Sequence, residues 1–182
     1  MSSAQLPVIR ALAAADYEQL GALLTALAAD SETRKYFRPF PLTSETARHL
    51  CQRSARCLDH YYVADVHGRF VAFSMLRGWD EGYAIPSFGA AVHPEFRNAG
   101  WGQRVLAHAI RQSRAAGAPQ LRLTVYRANT RAVHVYQKMG FHFADKGEQE
   151  LVGLLDLQSP PVRTMRDAPA TRTDLRQHTR AS

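Results

Sequence analysis

An arginine and two closely spaced glycines mark the part of this sequence best suited to chemistry. Arg97, Gly100 and Gly102 lie in the segment VHPEFRNAGWGQ, between an apolar strand and an amphipathic helix. Glycines let a backbone approach a ligand without a Cβ clash, and a helix that begins there exposes unpaired N–H groups at the positive end of its dipole. These features predict a phosphate or diphosphate site, to which Arg97 adds charge. For the glycine pair alone, a plain strand-to-helix junction is the alternative.

This segment does not match two common phosphate-binding motifs. A P-loop requires Gly-Lys followed by Ser or Thr, whereas Gln103 and Arg104 follow Gly102. A dinucleotide fingerprint requires a third glycine, and Val105 occupies that place. The sequence therefore supports neither nucleotide triphosphate hydrolysis nor NAD binding.

Two segments together resemble the GNAT superfamily of acyl-CoA N-acetyltransferases. The stretch from Val92 to Gly102 is similar to the family pattern V-x-P-x-Y/F-R/Q-x-x-G-x-G/A. A downstream stretch is similar to N-x-x-A-x-x-x-Y-x-x-x-G-F through Asn129, Ala132, Tyr136, Gly140 and Phe141. The resemblance covers roughly Leu6 to Leu157. It implies one α/β domain with a central mixed sheet flanked by helices, splayed fourth and fifth strands, and acetyl-CoA as the cofactor.

The resemblance also implies where coenzyme A would lie. Edge groups of strand four would pair with the pantetheine amides, and backbone amides of the next segment would hold the pyrophosphate. Asn129 would bind the cofactor or an ordered water, although Asn is also a favoured N-cap. Tyr136 would lie near the sulfur as general acid, although its periodicity alone places it in the core. The predicted cofactor-binding residues are Ala90, Ala91, Val92, Arg97, Asn98, Ala99, Gly100, Trp101, Gly102, Gln103, Asn129 and Tyr136.

The implied reaction is direct attack of an amine on the thioester, without a covalent enzyme intermediate. Many family members carry a Glu on strand four or five, but the segment from Ile85 to Val92 has no carboxylate. Glu81 is therefore the candidate base and Ser87 a candidate water relay, with a solvated turn as the alternative reading of Glu81. The histidines and cysteines form no HExxH or CxxC motif, so no metal is predicted.

The acceptor would enter opposite the cofactor, over the loop from Asp30 to Leu42 and the turn around Trp79. Arg34, Tyr36, Arg38 and Trp79 are the candidate acceptor-binding residues, suited to a phosphate or sugar face. A charged loop is more often simply solvated. The prediction is acetyl transfer to a primary amine of a small molecule, such as an amino sugar or a nucleotide-linked amine. The alternatives are a protein N-terminal or lysine acetyltransferase, and a CoA-binding sensor without turnover.

Hydrophobic periodicity supplies the elements that would position these residues. Helices are predicted from Tyr17 to Ala29, from about Thr43 past Cys51, from about Gly100 to Ala116 and from about Asn129 to Met139. The predicted strands are Leu6–Leu12, Tyr61–Asp65, Phe70–Leu76, Ile85–Val92, Leu121–Tyr126, Phe141–Phe143 and Leu151–Leu157. Strands alternate with helices only in the second half, which predicts a mixed sheet with helices on both faces.

Length and composition exclude several classes of protein. A chain of 182 residues, 46% hydrophobic and 21% charged, is typical of one globular domain and not of a fibrous or disordered protein. No apolar run approaches the ~20 residues that span a bilayer, no signal peptide is visible, and two cysteines cannot form a disulfide scaffold. We expect a cytoplasmic protein without a membrane partner.

The net charge of +7 is concentrated towards one end of the chain. Residues 159–182 contain five arginines and two aspartates, and few large apolar residues. The sequence therefore predicts a domain over residues 1–158 and a basic, disordered tail over 159–182. The tail has no Tyr, Phe or Trp to stack on bases, which counts against nucleic-acid binding. A homodimer is compatible with the sequence.

Overall fold

The computed structural model describes residues 7–158, which form a seven-stranded mixed sheet with helices on both faces. The strands are β1 (Val8–Ala11), β2 (His60–Val66), β3 (Arg69–Arg77), β4 (Ser87–Val92), β5 (Gln120–Tyr126), β6 (His142–Lys146) and β7 (Glu150–Asp156). The α-helices are α1 (Tyr17–Ala29), α2 (Ser31–Tyr36), α3 (Ser44–Ser54), α4 (Trp101–Ala115) and α5 (Thr130–Lys138). The spatial order of the strands is β1-β2-β3-β4-β5-β7-β6. The predicted fold class is confirmed.

The sheet separates two apolar clusters, each built from the helical faces that the periodicity predicts. On one side α1 buries Leu20, Leu24 and Leu27 against α3 and Phe73 of β3. On the other side α4 buries Val105, Leu106 and Ala109 against β3 and β5. Both helices have their apolar residues at i, i+3 and i+4 spacing, which produces one buried stripe per helix.

The fourth and fifth strands part soon after they meet. Their parallel ladder consists of Ser87 opposite Arg122 and Phe88 opposite Leu123. Beyond Phe88, β4 continues its antiparallel pairing with β3 up to Val92, while β5 continues beside β7. The predicted splay is therefore present, and it opens towards the carboxyl ends of both strands.

Two backbone hydrogen bonds show which groups of β4 face this gap. The His93 N–H donates to Val71 O of β3, and the Pro86 carbonyl accepts from Arg122 N of β5. Because backbone groups of successive strand residues alternate between the two neighbours, Ala90 and Val92 direct theirs into the gap. Ala91 directs its groups to β3, so it cannot supply the edge pairing that the sequence suggested for it.

The segment from Asp30 to Leu42 contains a short helix where a loop or broken helix was expected. The Asp30 side chain accepts a hydrogen bond from the Thr33 N–H at 2.7 Å and so caps α2. Pro39 and Pro41 follow and prevent the helix from continuing. Between residues 7 and 158, no helix is both long and apolar enough to cross a membrane.

Candidate active site

A cleft of about 400 Å³ lies at the open end of the β4–β5 splay. Its walls come from five parts of the chain: the end of β4, the loop and first turn of α4, the end of β5, the start of α5, and α2. The predicted residues that line it are Ala90, Ala91, Val92, Arg97, Asn98, Gly100, Trp101, Gly102, Gln103, Asn129, Tyr136 and Tyr36. Ala99, which the sequence grouped with them, is not among the described residues that line the cleft.

The first turn of α4 presents free amides to this cleft. Gly100 is the N-cap residue, with φ +80°, and it carries no side chain that could cap the helix. The first helical bond runs from Arg104 N to Gly100 O, so the amides of Trp101, Gly102 and Gln103 precede every intrahelical donor. A Cβ built at Gly100 would meet no atom of the described chain within 4 Å. These groups form a seat suited to a phosphate or diphosphate.

Side chains around the seat contribute less than the backbone does. The Trp101 indole is 7% exposed and belongs to the core, so its amide is the group available to a ligand. The Gln103 side chain lies near the Met139 sulfur, at 3.9 Å. Asn98 has φ +62°, a conformation that Asn adopts more readily than most residues. The seat is therefore mainly a backbone feature.

Arg97 lines the cleft but contacts α2 instead of pointing freely into the seat. Its guanidinium donates to both carboxylate oxygens of Asp30, to Glu32 Oε2 at 3.1 Å and to Thr33 Oγ1 at 2.8 Å. Hydrogen bonding to Arg97 holds the pKa of Asp30 well below its usual range. The sequence suggested an interaction of Arg97 with phosphate, and the structure gives it carboxylate partners.

Asn129 and Tyr136 both line the cleft. The Asn129 Oδ1 accepts from the Ala132 N–H at 3.2 Å and caps α5, which leaves the amide NH₂ for a ligand. Tyr136 packs between Phe88 and Phe141, with ring centroids 6.4 and 5.8 Å away. Burial raises the pKa of the Tyr136 phenol to about 12, so it is protonated at neutral pH.

The two candidates for proton removal lie away from the cleft. Glu81 is exposed in the β3–β4 turn, where its carboxylate lies 3.9 Å from the Arg77 guanidinium. Ser87 lies at the start of β4, within the paired part of the ladder. Neither is among the described residues that line the cleft. The geometry thus offers no support for either role.

Three of the four candidate acceptor residues are not among the described residues that line the cleft, and each has a partner elsewhere. Arg34 donates to the Ala28 and Ala29 carbonyls and so caps the end of α1, and Arg38 donates to the Lys35 carbonyl. The Trp79 ring packs on His60 at 4.8 Å, outside the cleft. A charged side chain near a helix end often binds carbonyls in this way.

Tyr36 alone of these four lines the cleft. Its hydroxyl donates to the Ala128 carbonyl at 3.2 Å, and its ring lies 5.9 Å from that of Tyr126. Sequence reasoning missed other wall residues, namely Glu32, Thr33, Phe37, Thr124, Val125 and Arg131. The sequence DSET at positions 30–33 is a helix-start signal that could have placed α2, but no local pattern places it over this cleft. Within the described residues, no group of three or more His, Cys, Asp or Glu side chains could hold a metal ion.

Comparison with known proteins gives concordant results for sequence and for structure. An acetyltransferase of Pectobacterium atrosepticum is 29% identical over 87 residues, which are 48% of this chain and 60% of that relative. The chain thus spans less than two thirds of that relative's length. An N-acetyltransferase structure from Staphylococcus aureus has a TM-score of 0.70 at 18% identity, covering 85% of this chain and all of that one.

A structure from Salmonella typhimurium, solved with its cofactor acetyl-CoA, has a TM-score of 0.68 at 15% identity and covers 86% of this chain and 98% of that one. At such identities the likeness shows the fold. The family model for the acetyltransferase (GNAT) family matches residues 25–141, which is more than half of the chain. The family membership predicted from the two motifs is confirmed. The chain belongs to the GNAT family of acetyltransferases.

Proposed function

We propose that this protein transfers an acetyl group from acetyl-CoA to a primary amine of a small molecule, by direct attack. The observation that carries the proposal is the continuity of the cleft. It joins the free amides at the start of α4 to the open edge of β4 and then to the Tyr136 hydroxyl region. A diphosphate, an amide-bearing arm and a thioester would meet these three features in that order.

The backbone supplies the first part of the mechanism. The amides of Trp101, Gly102 and Gln103 would bind the diphosphate, and the outward groups of Val92 would pair with a pantetheine amide like an added strand. The outward N–H of Ala90, which is nearer along β4 to the contact between Phe88 and Tyr136, would donate to the oxygen that becomes negatively charged during attack. Such a donor is already oriented by the sheet, so little reorganisation is needed.

Tyr136 would act on the leaving sulfur. A phenol with a pKa of about 12 is a weaker acid than a thiol, whose pKa is near ~8.5. Complete proton transfer to the thiolate is therefore uphill, and the main contribution of Tyr136 would be a hydrogen bond that stabilises the departing charge. The proton that finally resides on the CoA thiol would come from the amine through solvent, which balances the reaction.

The proton of the acceptor ammonium would leave to water. Of the described residues that line the cleft, Glu32 is the one carboxylate, and its oxygens are occupied by Arg97 and Arg131. A small amine can lose its proton to bulk water before it binds. Only a small fraction of the amine is neutral at pH 7, so this route lowers the concentration of reactive acceptor. Glu81 and Ser87 stay sequence-based candidates for this step, although neither is among the described residues that line the cleft.

A small primary amine is the acceptor that we propose, and a protein N-terminus or lysine is the alternative acceptor. A CoA-binding sensor is the alternative from another class, because the one carboxylate among the described cleft residues is paired with arginines and is not free to act as a base. A cytoplasmic location and a homodimer stay predictions. The disordered-tail prediction falls on residues 159–182, outside the described part of the chain, as does any nucleic-acid contact made there.

The deciding experiment measures thiol release from acetyl-CoA against a panel of small primary amines and lysine-containing peptides, with calorimetry of CoA binding in parallel. Turnover with a small amine supports the proposal. Turnover with peptides alone selects the protein acetyltransferase, and binding without turnover on any acceptor selects the sensor. No heat and no thermal protection with CoA would refute all three.

A further inference from the structure

Arg97 is the residue whose environment departs furthest from the sequence-based expectation. Four of its N–H donors are engaged by α2 and its cap: two by Asp30, one by Glu32 and one by the Thr33 hydroxyl. The Arg97 side chain is only 19% exposed, as is that of Asp30. A guanidinium has five N–H donors, so a diphosphate could use Arg97 fully only by displacing carboxylates.

The segment that Arg97 holds forms the acceptor-side wall of the cleft. Tyr36 and Phe37, at the end of α2, both line the cleft. Phe37 packs edge-on against Phe40, with centroids 6.2 Å apart, and Phe40 packs edge-on against Phe73 of the sheet at 6.0 Å. The position of α2 therefore sets the shape of the wall that an acceptor would touch.

A second set of contacts ties α2 to the opposite side of the cleft. Glu32 accepts from Arg97 and also lies 3.5 Å from Arg131 at the start of α5. Tyr36 donates its hydroxyl proton to the Ala128 carbonyl in the β5–α5 loop. A helix of six residues has little stability of its own, so these contacts are what hold it across the mouth.

We propose that Arg97 is a positioning residue, which clamps α2 across the cleft mouth and so shapes the acceptor wall, rather than a ligand of the diphosphate. The inference rests on the proposed function, because it assigns the acceptor to the face that α2 covers. It leaves the diphosphate to the backbone amides of α4. The Asp30 carboxylate joins the two parts, since it caps α2 and also accepts hydrogen bonds from Arg97.

Two substitutions distinguish a clamp from a phosphate ligand. In a clamp both have the same effect on the acceptor KM, whereas with a phosphate ligand they change the affinity for CoA in opposite directions. In a clamp, Arg97→Ala and Asp30→Asn both loosen α2, and both raise the acceptor KM by about ten-fold while the Kd for CoA changes by less than about three-fold. The double variant should be no worse than Arg97→Ala, as expected for residues that act as one unit. Asn retains the capping ability of Asp, so Asp30→Asn isolates the loss of the ion pair.

The opposite pattern would overturn the proposal. If Arg97 binds the diphosphate, Arg97→Ala weakens CoA binding by about ten-fold or more, while the affinity for phosphate-free pantetheine is unchanged. Asp30→Asn would then free Arg97 and tighten CoA binding. Arg104→Ala is the matched control: it removes one positive charge near the start of α4 without touching α2, and should leave the acceptor KM unchanged.

A readout independent of turnover keeps the clamp testable if the proposed function fails. The Phe37 N–H donates to the Thr33 carbonyl at 2.8 Å, and its hydrogen exchange reports on the opening of α2. Arg97→Ala should accelerate that exchange, and unchanged exchange would refute the clamp. If Arg97→Ala does not fold, Arg97→Lys serves in its place, since lysine keeps the charge but lacks the planar fork. Absence of CoA binding in the native protein would refute the proposed function, not the clamp.

Discussion

Replacing Gly100 by alanine tests whether the free amides of α4 form the diphosphate seat. Gly100 has φ +80°, a left-handed conformation that costs a non-glycine residue about 1–2 kcal/mol. If the backbone around residue 100 shifts to relieve this strain, the amides of Trp101 and Gly102, which follow directly, must change their orientation. Each charge-assisted hydrogen bond is worth about 1.5–3 kcal/mol, so losing one should raise the Kd for CoA by about 10- to 150-fold. At about 2–4 °C for each kcal/mol in a chain of this length, the melting temperature should fall by about 2–8 °C.

Gly102→Ala is the matched control. Gly102 lies inside the first turn of α4, where alanine is favoured over glycine by up to about 1 kcal/mol, and its Cβ would meet no described atom within 4 Å. Alanine is also accepted at this place in the family pattern that the sequence resembles. This variant should therefore melt slightly higher and bind CoA within about three-fold of the native protein.

Calorimetric titration with CoA and with phosphate-free pantetheine, together with thermal melts followed by circular dichroism, measures both effects. Pantetheine should bind the native protein and both variants alike. If Gly100→Ala melts lower yet binds CoA as tightly as the native protein, the positive φ serves folding alone. That result would mean that the start of α4 does not hold the diphosphate.

Four further outcomes are expected. Tyr136→Phe should lower kcat by about 10²-fold or more with CoA affinity retained; because a phenol acts while protonated and its pKa is raised to about 12, native kcat should show no loss from this group below about pH 10. Glu81→Gln should leave kcat/KM within about two-fold, and a loss of about 10²-fold would restore Glu81 as the base. The pKa of Asp30 is lower in the folded protein than in the unfolded chain, where it is near ~4, so the ionised carboxylate stabilises the fold above about pH 4. This stabilisation is lost as the pH falls through the pKa of the folded protein. Asp30→Asn should therefore lower the urea midpoint at neutral pH but not in strong acid. Cys51 is buried with its pKa raised to about 11, so iodoacetamide at neutral pH should not inhibit turnover.

Much of the candidate site could be predicted because the free amides at the start of α4 are a property of the local backbone. The glycines at 100 and 102, and the helix that follows them, create free amides by rules that act within one turn. Asn129 caps α5 three residues before Ala132, which is again a local interaction. The splay of β4 and β5 came from the resemblance of two motifs, and not from the periodicity of either strand.

The acceptor side could not be predicted in the same way. Arg34 and Arg38 looked like ligand-binding charges, but their guanidinium groups bind nearby carbonyls at helix ends. Glu81 looked close to strand four along the chain, yet it lies near Arg77 and is not among the described residues that line the cleft. Proximity along a chain says little about which side of a sheet a turn occupies.

The amino-acid sequence by itself determined the family, most of the elements and the free amides at the start of α4, since each depends on a motif or a periodic pattern within a short segment of chain. Only the tertiary structure decided what Arg97 does. Its partners Asp30 and Glu32 lie 67 and 65 residues away along the chain. Asp30 directly follows α1 and Arg97 lies in the loop before α4. These two helices pack on opposite faces of one sheet, and the sheet brings the end of α1 and the loop before α4 together at the mouth of the same gap.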